Sequence, residues 1–144
     1  MLIGSYNHTI DDKSRVTVPA KWRQDLGAGF VLTRGVDGAI LGMSFEEWER
    51  LSAKLAAMPV FTDKKAQNVR RNLTRWASEC EMDKQGRVVI SQQLRTFAHI
   101  ETEVVLIGTT NHFEIWSAAV LDAHDEAEED DYDEILAGAA EFGI

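Results

Sequence analysis

The sequence has few of the residues that staple or metallate a fold. It holds one cysteine, Cys80, in 144 residues. That excludes an internal disulfide framework and a cysteine-rich zinc site. The four histidines, His8, His99, His112 and His124, do not cluster, and no serine or cysteine stands in a recognisable arrangement with a base and an orienting third group. The glycines are scattered through turns, with no phosphate-cradling loop. No apolar run approaches the roughly 18 residues of a membrane span. The stretch from Met1 to His8 has no basic region followed by an apolar one, as a secretory leader would. These absences lead us to expect a cytoplasmic protein that is not an enzyme and holds no metal and no cofactor.

Basic residues are missing from the C-terminal third. All 15 Lys and Arg lie at or before Arg95. The chain has a net charge of −9 and a pI of about 4.8, which would argue against nucleic acid. Residues 1–121, however, carry a net +1, and residues 122–144 carry −10. The pI reports the tail, so a locally basic surface on the body stays open. The composition, 44% apolar and 27% charged, is that of an ordinary globular chain.

What is present is a duplication. Asp11-Asp12-Lys13-Ser14-Arg15-Val16-Thr17-Val18 aligns with Asp83-Lys84-Gln85-Gly86-Arg87-Val88-Val89-Ile90 at an offset of 72. Both read D-x-x-x-R and then a β-type run, and Arg23 falls on Arg95. After one extra residue, Val31, Gly35 and Ser44 fall on Val104, Gly108 and Ser117.

Each copy predicts a strand (6–10, 78–82), a tight charged turn, a β-branched strand (15–18, 87–90), a short helix (20–26, 92–98) and a closing pair of strands (30–34 with 39–43, 103–107 with 112–116). Pro19 suits the start of the first short helix. Ser44-Phe45-Glu46-Glu47 is a capping-box pattern, followed by Trp48, Leu51, Leu55 and Met58 at helical spacing and stopped by Pro59. A second linking helix is expected from Thr62-Asp63 to about Trp76, and a third from Ser117 through Val120 and Leu121. The run from Glu128 to Glu134 is expected to repel itself and to fray or stay disordered. One copy is too small to bury a stable core alone, so the two are expected to interlock.

The string from Tyr6 to Arg23, continued by Val31–Gly38, resembles the first repeat of the MraZ family. Cys80–Ile90 resembles the second repeat, and Phe113–Ser117 its closing strand. The resemblance covers the chain from about Tyr6 to Ser117. It implies an α+β fold, mainly β with short helices: a pseudo-two-fold duplicated, AbrB-like swapped-hairpin β-barrel with linking helices and an acidic C-terminal tail. The expected division is 5–47 for repeat 1, 48–76 for linking helices, 77–120 for repeat 2 and 121–144 for an acidic helical or disordered tail. The resemblance further implies a DNA-binding transcriptional regulator of the bacterial division and cell-wall gene cluster. Such a regulator would be nucleoid-associated and bind promoter direct repeats in double-stranded DNA as a ring-like homo-oligomer, with no membrane and no small-molecule substrate. Two positions depart from the family pattern. Ser14 stands where glycine is usual, at a cost of roughly 1–2 kcal/mol if the backbone there is left-handed. Ser91 stands where proline commonly follows the strand.

The D-x-x-x-R turns are the DNA-contacting elements of the family, which points to Lys13, Arg15, Lys84 and Arg87. Arginine presents a planar fork to phosphate or to the O6/N7 edge of guanine, and lysine a compact charge to phosphate. Asp11 and Asp83 would repel phosphate; their expected work is to hold turn N–H groups and orient the arginines. Lys21, Arg23 and Arg95 follow on the short helices as possible additional contacts. Arg70, Arg71 and Arg75 match no motif and fit solvent or inter-subunit contact better than DNA. The tryptophans fit core or interface better than base stacking. A separate reading is a non-catalytic assembly or antitoxin-like module that uses its acidic tail to occupy a basic partner.

Overall fold

The computed structural model describes residues 1–144. In chain order the elements are β1 (Leu2–Thr9), β2 (Arg15–Thr17), α1 (Ala20–Leu26), β3 (Gly29–Arg34), β4 (Ile40–Ser44), α2 (Phe45–Ala56), α3 (Lys64–Arg75), β5 (Ser78–Glu81), β6 (Arg87–Val89), α4 (Gln92–Phe97), β7 (Glu103–Thr110), β8 (Phe113–Ser117), α5 (Ala118–Ala127) and α6 (Tyr132–Ala137), with a 3-10 turn over Gly138–Phe142. The fold is α+β, as expected, and the element order repeats in two copies.

The pairing is swapped. A six-stranded antiparallel sheet runs β1-β7-β8-β4-β3-β5. The first strand of copy one pairs with β7 of copy two, and the first strand of copy two, β5, pairs with β3 of copy one. Exchanging the copies turns this order into itself, with a pseudo-two-fold axis between β4 and β8. The same axis passes through a second pairing, the β2–β6 ribbon, in which Val16 faces Val88. Strands β1 and β5 form the two edges of the sheet and lead through tight turns into β2 and β6. The ribbon therefore links one edge to the other and closes the core in a barrel-like way.

The core fills the space between sheet and ribbon. Val16 and Val88 from the ribbon, Trp22 and Leu94 from the short helices, and Phe30, Leu32, Ile40, Leu106, Phe113 and Ile115 from the sheet form one buried cluster. Tyr6, Trp22, Phe113 and Phe30 form a chain of aromatic contacts through it, with ring centroids 5.4–5.5 Å apart. Trp22 and Trp116 are buried and Trp48 and Trp76 half-buried, consistent with packing roles.

Several expected boundaries move. Strand β1 starts at Leu2 rather than Tyr6 because β7 extends to Thr110 and offers partners that far. Gly4 lies opposite Gly108, where a Cβ on Gly108 would come within 2.5 Å of the Leu2 backbone; alternation alone does not show this close passage. The capping box is only half made. Ser44 Oγ accepts from Glu47 N at 3.1 Å, but the Glu47 carboxylate turns away to Arg50 and Asn111. Ser91 compensates for the missing proline by capping α4 through Leu94 N. Helix α5 continues to Ala127. The acidic run contains a short helix, α6, because Asp131 caps it and Asp133 and Glu134 lie in its first turn, where the helix dipole favours negative charge.

The swap makes each copy incomplete alone. Fragments 1–76 and 77–144 are each expected to lack dispersed NMR amide spectra, and to regain the full-chain spectrum when mixed. A native-like spectrum from either fragment alone would contradict the exchanged pairing.

Candidate nucleic-acid interface

Each D-x-x-x-R turn is built by its aspartate. In the first, Asp11 Oδ1 accepts from Lys13 N at 2.9 Å and Arg15 N at 2.8 Å, and Oδ2 accepts from Arg15 Nε at 2.7 Å. In the second, Asp83 Oδ1 accepts from Gln85 N and Arg87 N, both at 2.9 Å, and Oδ2 accepts from Arg87 Nε at 2.8 Å. The backbone closes both turns alike, with Ser14 N donating to Asp11 O and Gly86 N to Asp83 O, each at 3.0 Å. Ser14 has φ of 60° and Gly86 of 77°, so the position is left-handed in both copies. The serine accepts the strain and the loop keeps its shape.

This geometry aims the arginines. Only Nε of Arg15 and of Arg87 is used by the aspartate, which leaves the two terminal nitrogens of each guanidinium outside that pairing, on side chains 24% and 29% exposed. In the ribbon, Arg15 lies opposite Val89 and Arg87 opposite Thr17. With Val16 and Val88 buried, strand alternation puts all four on the outer face. Arg15 and Arg87 are diagonal neighbours there, about 7–8 Å apart at Cα by sheet geometry. Lys13 and Lys84 are exposed in the turns.

The short helices add to the same surface. Arg23 Nε donates to Val18 O at 3.0 Å, and Arg95 Nε to Ile90 O at 3.0 Å. Val18 N in turn donates to Gly86 O, and Ile90 N to Ser14 O, both at 2.9 Å. Each helix arginine is thereby held beside the loop of the other repeat. For Arg23 the approach is very close: a Cβ on Gly86 would come within 2.1 Å of Arg23 Cζ. Lys21 is exposed on α1 without a hydrogen bond to the body. The structure thus brings Lys13, Arg15, Lys84, Arg87, Arg23 and Arg95 to the ribbon and its two turns. The sequence offset paired Arg23 with Arg95 but gave no sign that each crosses to the other copy's loop.

The turn hydrogen bonds favour the ionised form of both carboxylates. Desolvation opposes ionisation of Asp11, but hydrogen bonds from the Arg15 backbone and side chain and from the Lys13 backbone outweigh it and hold its carboxyl below the usual range. At Asp83 the Arg87 backbone N–H is the leading influence, against a desolvation penalty, and the direction is the same. Cys80, in the core, is the reverse case: burial pushes its thiol up to about 11, which makes it a poor nucleophile. No group of three or more metal-ligating side chains is assembled.

Residue types alone do not foreshadow the position of Arg34. It lies between Trp76, 3.5 Å from its ring centroid, and Phe97, at 4.7 Å. It joins β3, the end of α3 and α4, and so ties the linking helices to the second repeat.

Replacing Gly86 by Ala is expected to push Arg23 off Val18 O and to cost about 1–3 kcal/mol. Ser14→Gly is expected to raise stability by about 1 kcal/mol; urea denaturation reads both. A lowered folded pKa gives stabilisation that is complete above the ordinary aspartate value of about 3.9 and lost as pH falls through the lower folded value. Carboxyl carbon titration should therefore place the midpoints of Asp11 and Asp83 below about 3.9, with the amides of Lys13, Arg15, Gln85 and Arg87 shifting in step. Midpoints at or above the ordinary value would contradict the turn geometry.

Comparison with known proteins bears on this arrangement. The family model described as "MraZ protein, putative antitoxin-like" matches twice, over residues 1–72 and 73–137. "Transcriptional regulator MraZ" of Ligilactobacillus salivarius (strain UCC118) is 43% identical over 144 residues, 100% of both chains. The protein of the same name from Halothermothrix orenii is 40% identical over 144 residues, again 100% of both. That from Limosilactobacillus reuteri (strain DSM 20016) is 44% identical over 135 residues, 94% of both. These relatives are named as regulators and not as enzymes. The likeness reaches past Ser117 into the acidic tail, further than the motifs alone carried it, and the chain belongs to the MraZ family.

Proposed function

We propose that this protein regulates transcription by binding double-stranded promoter DNA with the outer face of the β2–β6 ribbon and its two turns. The observation that carries this reading is the matched pair of turns, in which an aspartate locks Nε of Arg15 and of Arg87 and leaves their terminal nitrogens free. A two-stranded ribbon is one of the shapes that the major groove admits. The Cα separation of the two arginines, about 7–8 Å, corresponds to roughly two base-pair steps of 3.4 Å. Arg15 and Arg87 read base edges or phosphates. Lys13 and Lys84 take phosphates, with Lys21, Arg23 and Arg95 as flanking contacts, and Asp11 and Asp83 orient the loops. Residues 5–47 and 77–120 are then the two DNA-binding repeats, 48–76 links them, and 121–144 is the acidic tail.

Each bidentate base contact supplies about 1–3 kcal/mol of discrimination, so one chain reads weakly. A ring-like homo-oligomer on repeated promoter boxes of the division and cell-wall cluster would multiply it, since linked sites gain about 10²–10⁴ in avidity. On this reading the protein works on the nucleoid, in the cytoplasm. No helix is long and apolar enough to cross a membrane.

The test is fluorescence anisotropy with DNA from upstream of the protein's own gene against scrambled DNA, over a salt series. Selective binding that weakens steeply with salt is expected. An Arg15→Ala, Arg87→Ala double variant should bind the specific site at least about tenfold more weakly, and Lys13→Ala should reduce the salt slope by about one. Undiminished affinity in the double variant would refute the ribbon as the reading surface.

A further inference from the structure

Away from the ribbon, two exposed surfaces of opposite charge remain without partners. Helix α3 carries Lys64, Lys65, Arg70, Arg71 and Arg75 and no acidic residue along its twelve positions. Beside it lies an open cleft of about 690 Å³ lined by Val60, Phe61, Arg70, Arg71 and Arg75 among others, with Phe61 wholly exposed. The tail from Asp122 onward holds ten acidic residues and no Lys or Arg. Within it, α6 places Tyr132, Ile135 and Leu136 at i, i+3 and i+4, on one helix face. All three are more than half exposed, at 73%, 52% and 53%. A six-residue helix has little intrinsic stability in water, so an uncovered apolar face on it calls for a partner.

We propose that α6 of one chain docks into the α3–Phe61 cleft of a second copy of the same chain, apolar face against Phe61 and Val60 and carboxylates against Arg70, Arg71 and Arg75. The chemistry matches on both counts: an acidic helix with an apolar stripe meets a basic helix beside an exposed aromatic ring. Position favours a neighbour over the chain's own cleft. Helix α5, which leads into α6, packs on β7 and β8, whereas α3 packs on β3, across the pseudo-two-fold axis. Tail and cleft therefore belong to opposite halves of the sheet. A contact between two different surfaces of identical chains is head-to-tail, and it yields a closed ring when the rotation closes. The proposal deepens the oligomeric part of the function read above by naming the segment that joins neighbours.

Sedimentation velocity of the full chain, a chain ending at Ala127, and Arg70→Glu, Arg71→Glu, Arg75→Glu tests it. The last two are expected to associate at least tenfold more weakly than the first. Adding Glu129→Arg, Asp130→Arg and Asp133→Arg to the charge-reversed chain should restore association. A disulfide trap is the second arm. Arg71→Cys and Ile135→Cys in one full-length chain should give an intermolecular ladder on oxidation, with the buried Cys80 silent. Several outcomes overturn the proposal. If the full chain assembles and every variant assembles equally, the tail contact fails while the oligomer stands. If the trap closes within single chains, the tail serves its own cleft. If charge reversal spares assembly but lowers DNA affinity, α3 is a DNA surface. A full chain that stays monomeric at micromolar concentration removes both the ring and the tail contact.

Discussion

The ribbon formed by β2 and β6 is the contact on which the rest of the molecule depends. Each strand is three residues long, far too short to persist alone, and each finds its only ladder partner in the other repeat. Val16 and Val88 are buried beneath it, so the pairing is fixed from the core side. Its outer face is thereby set to Arg15, Thr17, Arg87 and Val89, since a slip of one residue would turn the valines to water and the arginines inward. The same pairing brings Val18 N to Gly86 O and Ile90 N to Ser14 O, which fastens each turn to the strand end of the other copy. Each turn is thereby held by backbone hydrogen bonds from both copies.

That dependence explains why so much of the fold was legible. The D-x-x-x-R turns, the β-branched runs after them and the helix signals at Ser44, Asp63 and Ser117 are local features. Their residues satisfy local hydrogen bonds: Asp63 caps α3 through Lys65 N and Ala66 N, as its position before the helix implies. The roles of Asp11 and Asp83 were legible for the same reason, since an aspartate two and four residues ahead of free N–H groups has few other partners. What stayed hidden was non-local. Nothing at Arg23 announces that it crosses to Gly86, and nothing at Arg34 announces Trp76 and Phe97. The early start of β1 also depends on a strand about a hundred residues away. These contacts arise from the swap, which repetition implied only in outline.

The two copies are not equivalent, and the differences have physical consequences. Gly27 caps α1 at φ 72°, whereas the equivalent position in the second copy, just after the Ala98 cap of α4, is His99 at φ 55°, so the second copy accepts a strained residue where the first does not. The reverse holds at the turns, where Ser14 is strained and Gly86 is not. Arg23 needs a bare Gly86 beneath it, whereas the equivalent turn position in the first copy, Ser14, carries a side chain. The surface offered by the two turns is therefore pseudo-symmetric in its backbone and asymmetric in its packing.

The asymmetry is larger still in the helices that end each copy. The first copy ends in a strongly basic helix, α3, and the second in an acidic one, α6, although both follow the same order of elements. If the copies were identical at these ends, neighbouring chains would meet like charge against like, and the contact would be repulsive or self-complementary in a closed pair. Opposite charge at the two ends makes the chain polar from one repeat to the other. Polarity of that kind favours chains that follow one another in a single direction, as a head-to-tail ring requires. It also accounts for the acidity of the whole sequence without setting it against DNA. The negative charge is concentrated in a segment that leaves the body from the β7–β8 side, and Lys13 and Lys84 stay exposed in the turns beside the ribbon.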